Sequence, residues 1–387
     1  MDKIEEILTR GIENVYPSKE ELKKVLLSGK KLRIYNGIDP TGRLHLGHMV
    51  VLRKLRQFQD LDQEIIVLIG DFTAQIGDPT DKLATRKKLT LEQIKENSAN
   101  YEKLIGKILD LKKTNVRFLH NGKWNNKLKP ADMLQIASNF TVSQLLERDM
   151  FQKRIKEKKE IYVHEFLYPI FQAYDSVTMD VDMEIGGNDQ TFNMLAGRTL
   201  MRKTMNKEKF VLTTKLLSEP GKEKMGKTEG NLIALDEKSN EMFGKIMSWP
   251  DEMIESSFIL LTDISMEKIK AGNLSPLEKK KWLAREIVTN LHSEKDAKNA
   301  EKEFENVFQK KEMPKEIIVV ECSSGENLID VIIKSKFINS RGEVKRLLQQ
   351  GGIDIDGERI ISADNVSLRN GNIVRLGKLK FFQVRLV

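Results

Sequence analysis

The chain has 387 residues, more than one ordinary domain holds, so two or three domains with ample buried core are expected. Its 65 Lys and Arg against 57 Asp and Glu leave a net charge of +8, which suits a polyanionic partner without identifying one. A single cysteine, Cys322, excludes an internal disulfide, and the lack of any run of about 18 apolar residues excludes a membrane-spanning helix. The amino terminus, Met1-Asp2-Lys3-Ile4-Glu5-Glu6, carries no apolar signal core, so a soluble cytoplasmic protein with no membrane partner is expected.

Residues 1–30 predict amphipathic helices, with Ile4, Ile7, Leu8 and Ile12 on one face and Leu22, Val25 and Leu26 on another. Residues 32–38 read as a short buried strand. Asp39-Pro40-Thr41-Gly42 is turn chemistry, because Pro fixes φ and Gly tolerates positive φ. From Leu44 the pattern turns helical, with Leu46, Val50, Leu52, Leu55 and Phe58 near helical spacing. His45 and His48 are three apart and project from one face of the first turn. Beside free backbone N–H groups at a helix N-terminus they make an anion site, and Gly47 leaves room for a ligand lying flat. A His pair at this spacing is more often a surface accident or a metal-ligand pair. The strand–turn–helix context favours a polyphosphate, and one Cys with no local third ligand disfavours zinc.

His45-Leu46-Gly47-His48 resembles the HIGH signature of class I aminoacyl-tRNA synthetases, and Gly37-Ile38-Asp39-Pro40-Thr41 resembles its tyrosine-specific version. The apolar run 64–70 is a strand buried on both faces, so the order strand–helix–strand implies a doubly wound, Rossmann-like α/β sheet. The loop Asp71 to Thr80 then leaves the carboxyl end of a strand, where ligands bind in such sheets. By itself it is a Gly/Asp/Pro turn. The resemblance makes Thr73 and Asp78 tyrosine contacts, Asp78 on the α-ammonium group, and makes Lys82 and Arg86 cations for the pyrophosphate. Asp39 and Gly47 become ATP contacts. Asn121, after an expected strand at 116–119, is a further substrate contact. The stretch of about 120–160 resembles the family's connective insertion, which implies a homodimer through it; its plain alternative is a helical pair on its own core.

Residues 163–176 read as a helix on which Tyr168, Gln172 and Asp175 share one stripe at i, i+4 and i+7. Such a stripe is poor core material unless hydrogen-bonded, which points to a polar pocket. It resembles the tyrosine-binding helix of tyrosyl-tRNA synthetases. Tyr168 and Gln172 would join Asp78 on the α-amino group, while Asp175, with Tyr35 opposite, would hold the phenol hydroxyl. Glu184-Ile185-Gly186-Gly187-Asn188-Asp189-Gln190 resembles the family's adenosine and amino-acid segment, with Gly186 and Asp189 on ATP and Gln190 on tyrosine. Gly221 to Thr228 resembles the second class I signature in a KMGKT form. Gly226 and Thr228 replace serines there, and Lys224 and Lys227 are kept; Lys227 also serves ATP.

Helices at 241–247, 251–261, 266–271, 276–291 and 297–308 follow, without a catalytic cluster. In the C-terminal stretch Arg341, Lys345 and Arg346 lie on one helix that ends at Gly351-Gly352, followed by short strands. A basic helix on a small sheet is a phosphate-tracking surface, and it resembles a ribosomal-protein-type RNA-binding domain. The expected division is a catalytic domain at 1–229, a helical anticodon-arm domain at 230–315 and an α+β RNA-binding domain at 323–387. The resemblance as a whole implies a tyrosine–tRNA ligase that uses L-tyrosine, ATP with Mg²⁺ and tRNA(Tyr), with no protein-bound metal. The rivals are a tryptophanyl enzyme, a catalytically silent RNA-binding paralogue, and a nucleotidyltransferase sharing the HxGH turn.

Overall fold

The structure is a computed structural model, and it describes residues 3–78, 89–219, 232–309, 317–338, 340–363, 366–377 and 380–387. Two compact units are present: residues 1–237 with 249–291, and residues 238–248 with 292–387. The stretch expected as one helical domain, 230–315, is therefore divided. Its helices Met253–Leu261, Met266–Ala271 and Pro276–Leu291 belong to the first unit, and Ser239–Met247 and Glu294–Gln309 to the second.

The first unit is built on a six-stranded sheet. Its strands in chain order are β1 (Ile12–Tyr16), β2 (Arg33–Ile38), β3 (Glu64–Ile69), β4 (Val116–His120), β5 (Met183–Gly187) and β6 (Phe210–Thr214). Across the sheet they run β1-β6-β5-β2-β3-β4. All neighbours pair parallel except β1, which lies antiparallel on β6. β1 corrects the expectation of helices throughout 1–30. Ile12 to Tyr16 is recruited as an edge strand by its partner, a pairing that local pattern does not reveal.

β3 and β6 show why parallel strands read as apolar runs. Five of six residues of β3 and all five of β6 are buried, since helices cover both faces. From β2 the chain moves outward to β3 and β4 on one side, whereas β5 and β6 fill the other. The strand order thus reverses beside β2, and the crevice at the carboxyl ends of β2 and β5 is the place for a ligand. Gly70, just after β3, donates its N–H to Ile38 O and ties the two strand ends together. A Cβ there would run into the Asp39 carboxylate and the Thr73 hydroxyl, so only glycine fits.

In the second unit a five-stranded sheet is formed by β7 (Ile318–Cys322), β8 (Ile353–Ile355), β9 (Glu358–Ile360), β10 (Ile373–Leu376) and β11 (Lys380–Leu386), in the order β7-β11-β10-β8-β9. β7 pairs parallel with β11, so the small sheet starts before the boundary expected at 323. Leu328, Val331 and Ile332 from one helix and Val344 and Leu348 from another pack with Ile353, Val374 and Phe382 into one core. Among the described residues no helix is long and apolar enough to cross a membrane.

Candidate active site

The helix Leu46–Gln59 begins directly after the turn that leaves β2. His45 is its N-cap: Nδ1 accepts from Gly47 N–H at 3.1 Å, and Nδ1 of His48 accepts from His45 N–H at 3.2 Å. The two rings stand 4.0 Å apart between centroids. The expected free N–H groups are absent from this turn. Leu46 N–H goes to Ile233 O, and His48 N–H goes to His45 O. The imidazoles close a capping box, a task usually given to Ser or Thr with Glu. A neutral imidazole accepting at Nδ1 carries its proton on Nε2, so the cap sets both rings as Nε2–H donors. The segment after residue 231 braces this turn, with Leu235 N–H on Leu44 O.

A chain of hydrogen bonds joins four elements at the crevice. Tyr168 OH donates to Asp39 Oδ2 at 3.0 Å, and Thr73 Oγ1 donates to Asp39 Oδ1 at 2.7 Å. Asn121 Nδ2 donates to Thr73 Oγ1 at 3.1 Å and to Asp175 Oδ2 at 3.0 Å. Asp175 Oδ1 accepts from Trp124 Nε1 at 2.7 Å and from Asn125 Nδ2 at 3.1 Å. Asp175 is buried, and although three donors favour its charged form, burial prevails and pushes its pKa up to about 7. Burial likewise raises the Tyr168 hydroxyl well above its ordinary value, with Asp39 and Asp78 adding to the rise.

A second network runs from Tyr35 to Gln172. Tyr35, fully buried in β2, shares a 2.8 Å hydrogen bond with Ser176 Oγ. Lys209 Nζ donates to Ser176 Oγ at 2.9 Å and forms a buried ion pair with Glu184 of β5. Gln172 Nε2 donates to Glu184 Oε1 at 3.0 Å. Burial lowers the Lys209 pKa and raises that of Tyr35.

A third network centres on Asp78. Its Oδ1 pairs with Arg148 Nη2 at 2.5 Å, and its Oδ2 accepts from Gln190 Nε2 at 2.8 Å. Asn193 Nδ2 links Gln190 Oε1 at 2.9 Å.

The expected residues fall as follows. Tyr168 and Asp175 are both buried on one stripe of the Val163–Thr178 helix, and Thr73, Asp39 and Asp175 stand in one network. Tyr35, expected with Asp175 on a phenol hydroxyl, bonds Ser176 through its own hydroxyl, and Gln172, expected with Asp78 on an amino group, donates its amide to Glu184. The space beside Gly186 is taken by Met194, so this glycine serves close helix–strand packing. A Cβ at Gly187 would strike Asp189 Oδ1 at 2.6 Å, which keeps that turn tight. Gly47 sits in the histidine cap. Lys82, Arg86, Lys224, Lys227 and Thr228 lie outside the described residues.

Trp124, Asn125, Arg148, Ser176, Glu184, Asn193 and Lys209 are the participants that sequence reading missed. Trp124 and Asn125 follow Asn121 by three and four residues, a helical spacing that was legible once Asn121 was suspected. Arg148 and Lys209 had no signal, because charge in a Lys/Glu-rich chain reads as surface. In the second unit Lys345 and Arg346 are exposed, and Arg341 pairs with Asp330 at 2.8 Å. Val344 and Leu348 turn the other face of that helix to the core.

The sheet, the histidine-capped helix and the polar crevice define a class I tRNA synthetase. The family model described as tRNA synthetases class I (W and Y) matches residues 27–309. Tyrosine–tRNA ligase of Thermotoga maritima is 44% identical over 98% of this chain and 96% of its own length. The Francisella tularensis tyrosine–tRNA ligase is 42% identical over 98% of this chain and 97% of its own. The chain belongs to the tyrosine–tRNA ligase family. The fold is shared with a solved tyrosyl-tRNA synthetase complexed with L-tyrosine from Archaeoglobus fulgidus, at a TM-score of 0.61 and 24% identity, covering 78% of this chain and all of the other. It is shared too with a C-terminally truncated mitochondrial tyrosyl-tRNA synthetase from Aspergillus nidulans, at a TM-score of 0.65 and 22% identity, covering 79% and 94%.

Proposed function

We propose that the protein joins L-tyrosine to tRNA(Tyr) in two steps. A tyrosine carboxylate oxygen attacks the α-phosphorus of ATP in line, an O–P bond forms, and the bond to pyrophosphate breaks. A 2′- or 3′-hydroxyl of the terminal tRNA adenosine then takes the tyrosyl group, and AMP leaves. The likeness to tyrosine–tRNA ligases along 98% of the chain carries this reading. Within the site, buried Asp175 is an acceptor suited to a phenol hydroxyl.

Catalysis in this reading is positioning plus charge stabilisation. His45 and His48 offer Nε2–H to phosphate oxygens, and Lys82, Arg86, Lys224, Lys227 and Thr228 meet the pyrophosphate. Asp39, Gly47, Gly186 and Asp189 serve ATP. Asp78, Tyr168, Gln172 and Gln190 serve the amino group, with Thr73 and Tyr35 completing the tyrosine pocket. Mg²⁺ would enter on ATP: the two imidazoles are proton donors toward phosphate, a donor set that suits oxygens already carrying the metal.

Arg341, Lys345 and Arg346 are proposed to track the tRNA backbone. A homodimer through the insertion is proposed on the exposed apolar side chains Leu134, Val142, Tyr162 and Val163. The helix Pro130–Ala137 spends its other face on the cluster around Ala173, through Ile136. Sedimentation equilibrium reads the mass, and a monomer at micromolar concentration would remove this proposal. A cytoplasmic location is proposed with these partners.

ATP–pyrophosphate exchange with tyrosine, tryptophan and phenylalanine tests the reading. Exchange with tyrosine alone is expected. Exchange with tryptophan would overturn the Asp175 pocket, and none with any of the three would favour a silent RNA-binding protein.

A further inference from the structure

Arg148 lies between two short helices of the insertion, in a stretch dense with Lys, Arg and Glu, yet it is only 4% exposed. One arm of its guanidinium, Nη2, is held by Asp78. Its Cζ stands over the Phe192 ring, 5.9 Å from the centroid, and its charge acts on the Tyr168 hydroxyl. These neighbours place it at the amino-group end of the crevice. The other arm, Nη1, is buried with no hydrogen-bond partner among the described residues. A buried, charged donor left unmade is costly and is retained where a ligand completes it.

An amino acid carries two groups of opposite charge bonded to the same carbon. Asp78 and Arg148 offer two charges of opposite sign in contact, and the forked guanidinium suits a carboxylate. We propose that Arg148 is the receptor for the α-carboxylate of the amino-acid substrate, its Nη2 arm fixed by Asp78 and its Nη1 arm presented to the carboxylate. Asp78 and Arg148 together form a clamp for the zwitterion. The inference rests on the reading that tyrosine is the substrate. It gives the insertion a direct part in the site, because Arg148 comes from the same stretch as the exposed apolar face.

The test is equilibrium binding of L-tyrosine and of tyramine, which keeps the ammonium and phenol but lacks the carboxylate, to the full-length protein without ATP. Wild type should prefer tyrosine by about tenfold or more. Arg148→Lys, which keeps a cation for Asp78, and Arg148→Gln, which keeps a neutral donor, should both weaken tyrosine by about that factor. Tyramine should stay within about twofold, so the preference collapses toward one. Thermal melts identify a variant that has failed to fold, and Arg148→Lys then remains as the less disruptive change. Parallel loss of tyrosine and tyramine would overturn the proposal and leave Arg148 as a brace for Asp78. Wild type that binds neither compound would overturn the tyrosine reading itself and this inference with it.

Discussion

At the scale of single residues, Asp175 holds three donors and still keeps its proton up to about pH 7, because the cost of burying a charge exceeds what Asn121, Trp124 and Asn125 return. Its folded pKa lies above the unfolded value, so its contribution to stability is complete below the unfolded pKa, near 4, and is lost as pH rises through about 7. The thermal midpoint of the ligand-free protein should carry this fall, and Asp175→Asn should flatten it. Tyrosine binding should run the opposite way. A phenol hydroxyl donates best to an ionised carboxylate, so the KM for tyrosine in pyrophosphate exchange should drop between about pH 6 and about pH 8. In Asp175→Asn that slope should vanish, and discrimination against phenylalanine should fall by at least about a hundredfold. A variant that kept both slope and discrimination would place the phenol elsewhere.

At the scale of elements, the helix Leu46–Gln59 gives its first turn two tasks. The histidines that face the phosphates in the proposed chemistry also cap the helix, through Nδ1 on both rings. The tasks can be separated. Asn is among the strongest N-caps, so His45→Asn should keep the cap and leave the melting temperature nearly unchanged, while His45→Ala should cost about 1 kcal/mol of stability. Both should reduce the rate of pyrophosphate exchange by about two orders of magnitude or more, because neither retains Nε2–H. If His45→Asn exchanged at the wild-type rate, the role of His45 would be structural alone. The buried Lys209–Glu184 pair is the other device at this scale. It joins the start of β6 to β5 and sets Gln172 and Ser176 from beneath the crevice.

For the whole molecule, activation of the amino acid and recognition of RNA are proposed for different units, so they should fail independently. Reversing charge at Lys345 and Arg346 together leaves Val344 and Leu348 in their core and alters no residue of the first unit. Tyrosine-dependent pyrophosphate exchange should stay within about twofold. The KM for tRNA should rise about tenfold or more, and the salt dependence of charging should become shallower as phosphate contacts are lost. Unchanged tRNA kinetics would remove this helix from the RNA interface.

What the sequence determined by itself was whatever depends on near neighbours along the chain. The apolar run at β3 gave a doubly buried parallel strand, the turn from Asp39 to Gly42 placed a helix start at His45, and the spacing of Tyr168, Gln172 and Asp175 gave one polar stripe. Those local signals sufficed for the family, since its signatures are short and contiguous. The tertiary structure decided what depends on distant partners. β1 is a strand only because β6 is beside it, and Arg148 and Lys209 are buried only because Asp78 and Glu184 meet them there. Tyr35 lies in the crevice strand as read, yet its hydroxyl is spent on Ser176, 141 residues away. Hydrogen-bond partners of buried polar groups are chosen in three dimensions, by desolvation that forces each group to find whichever donor or acceptor packing brings near, and one-dimensional spacing does not encode that choice.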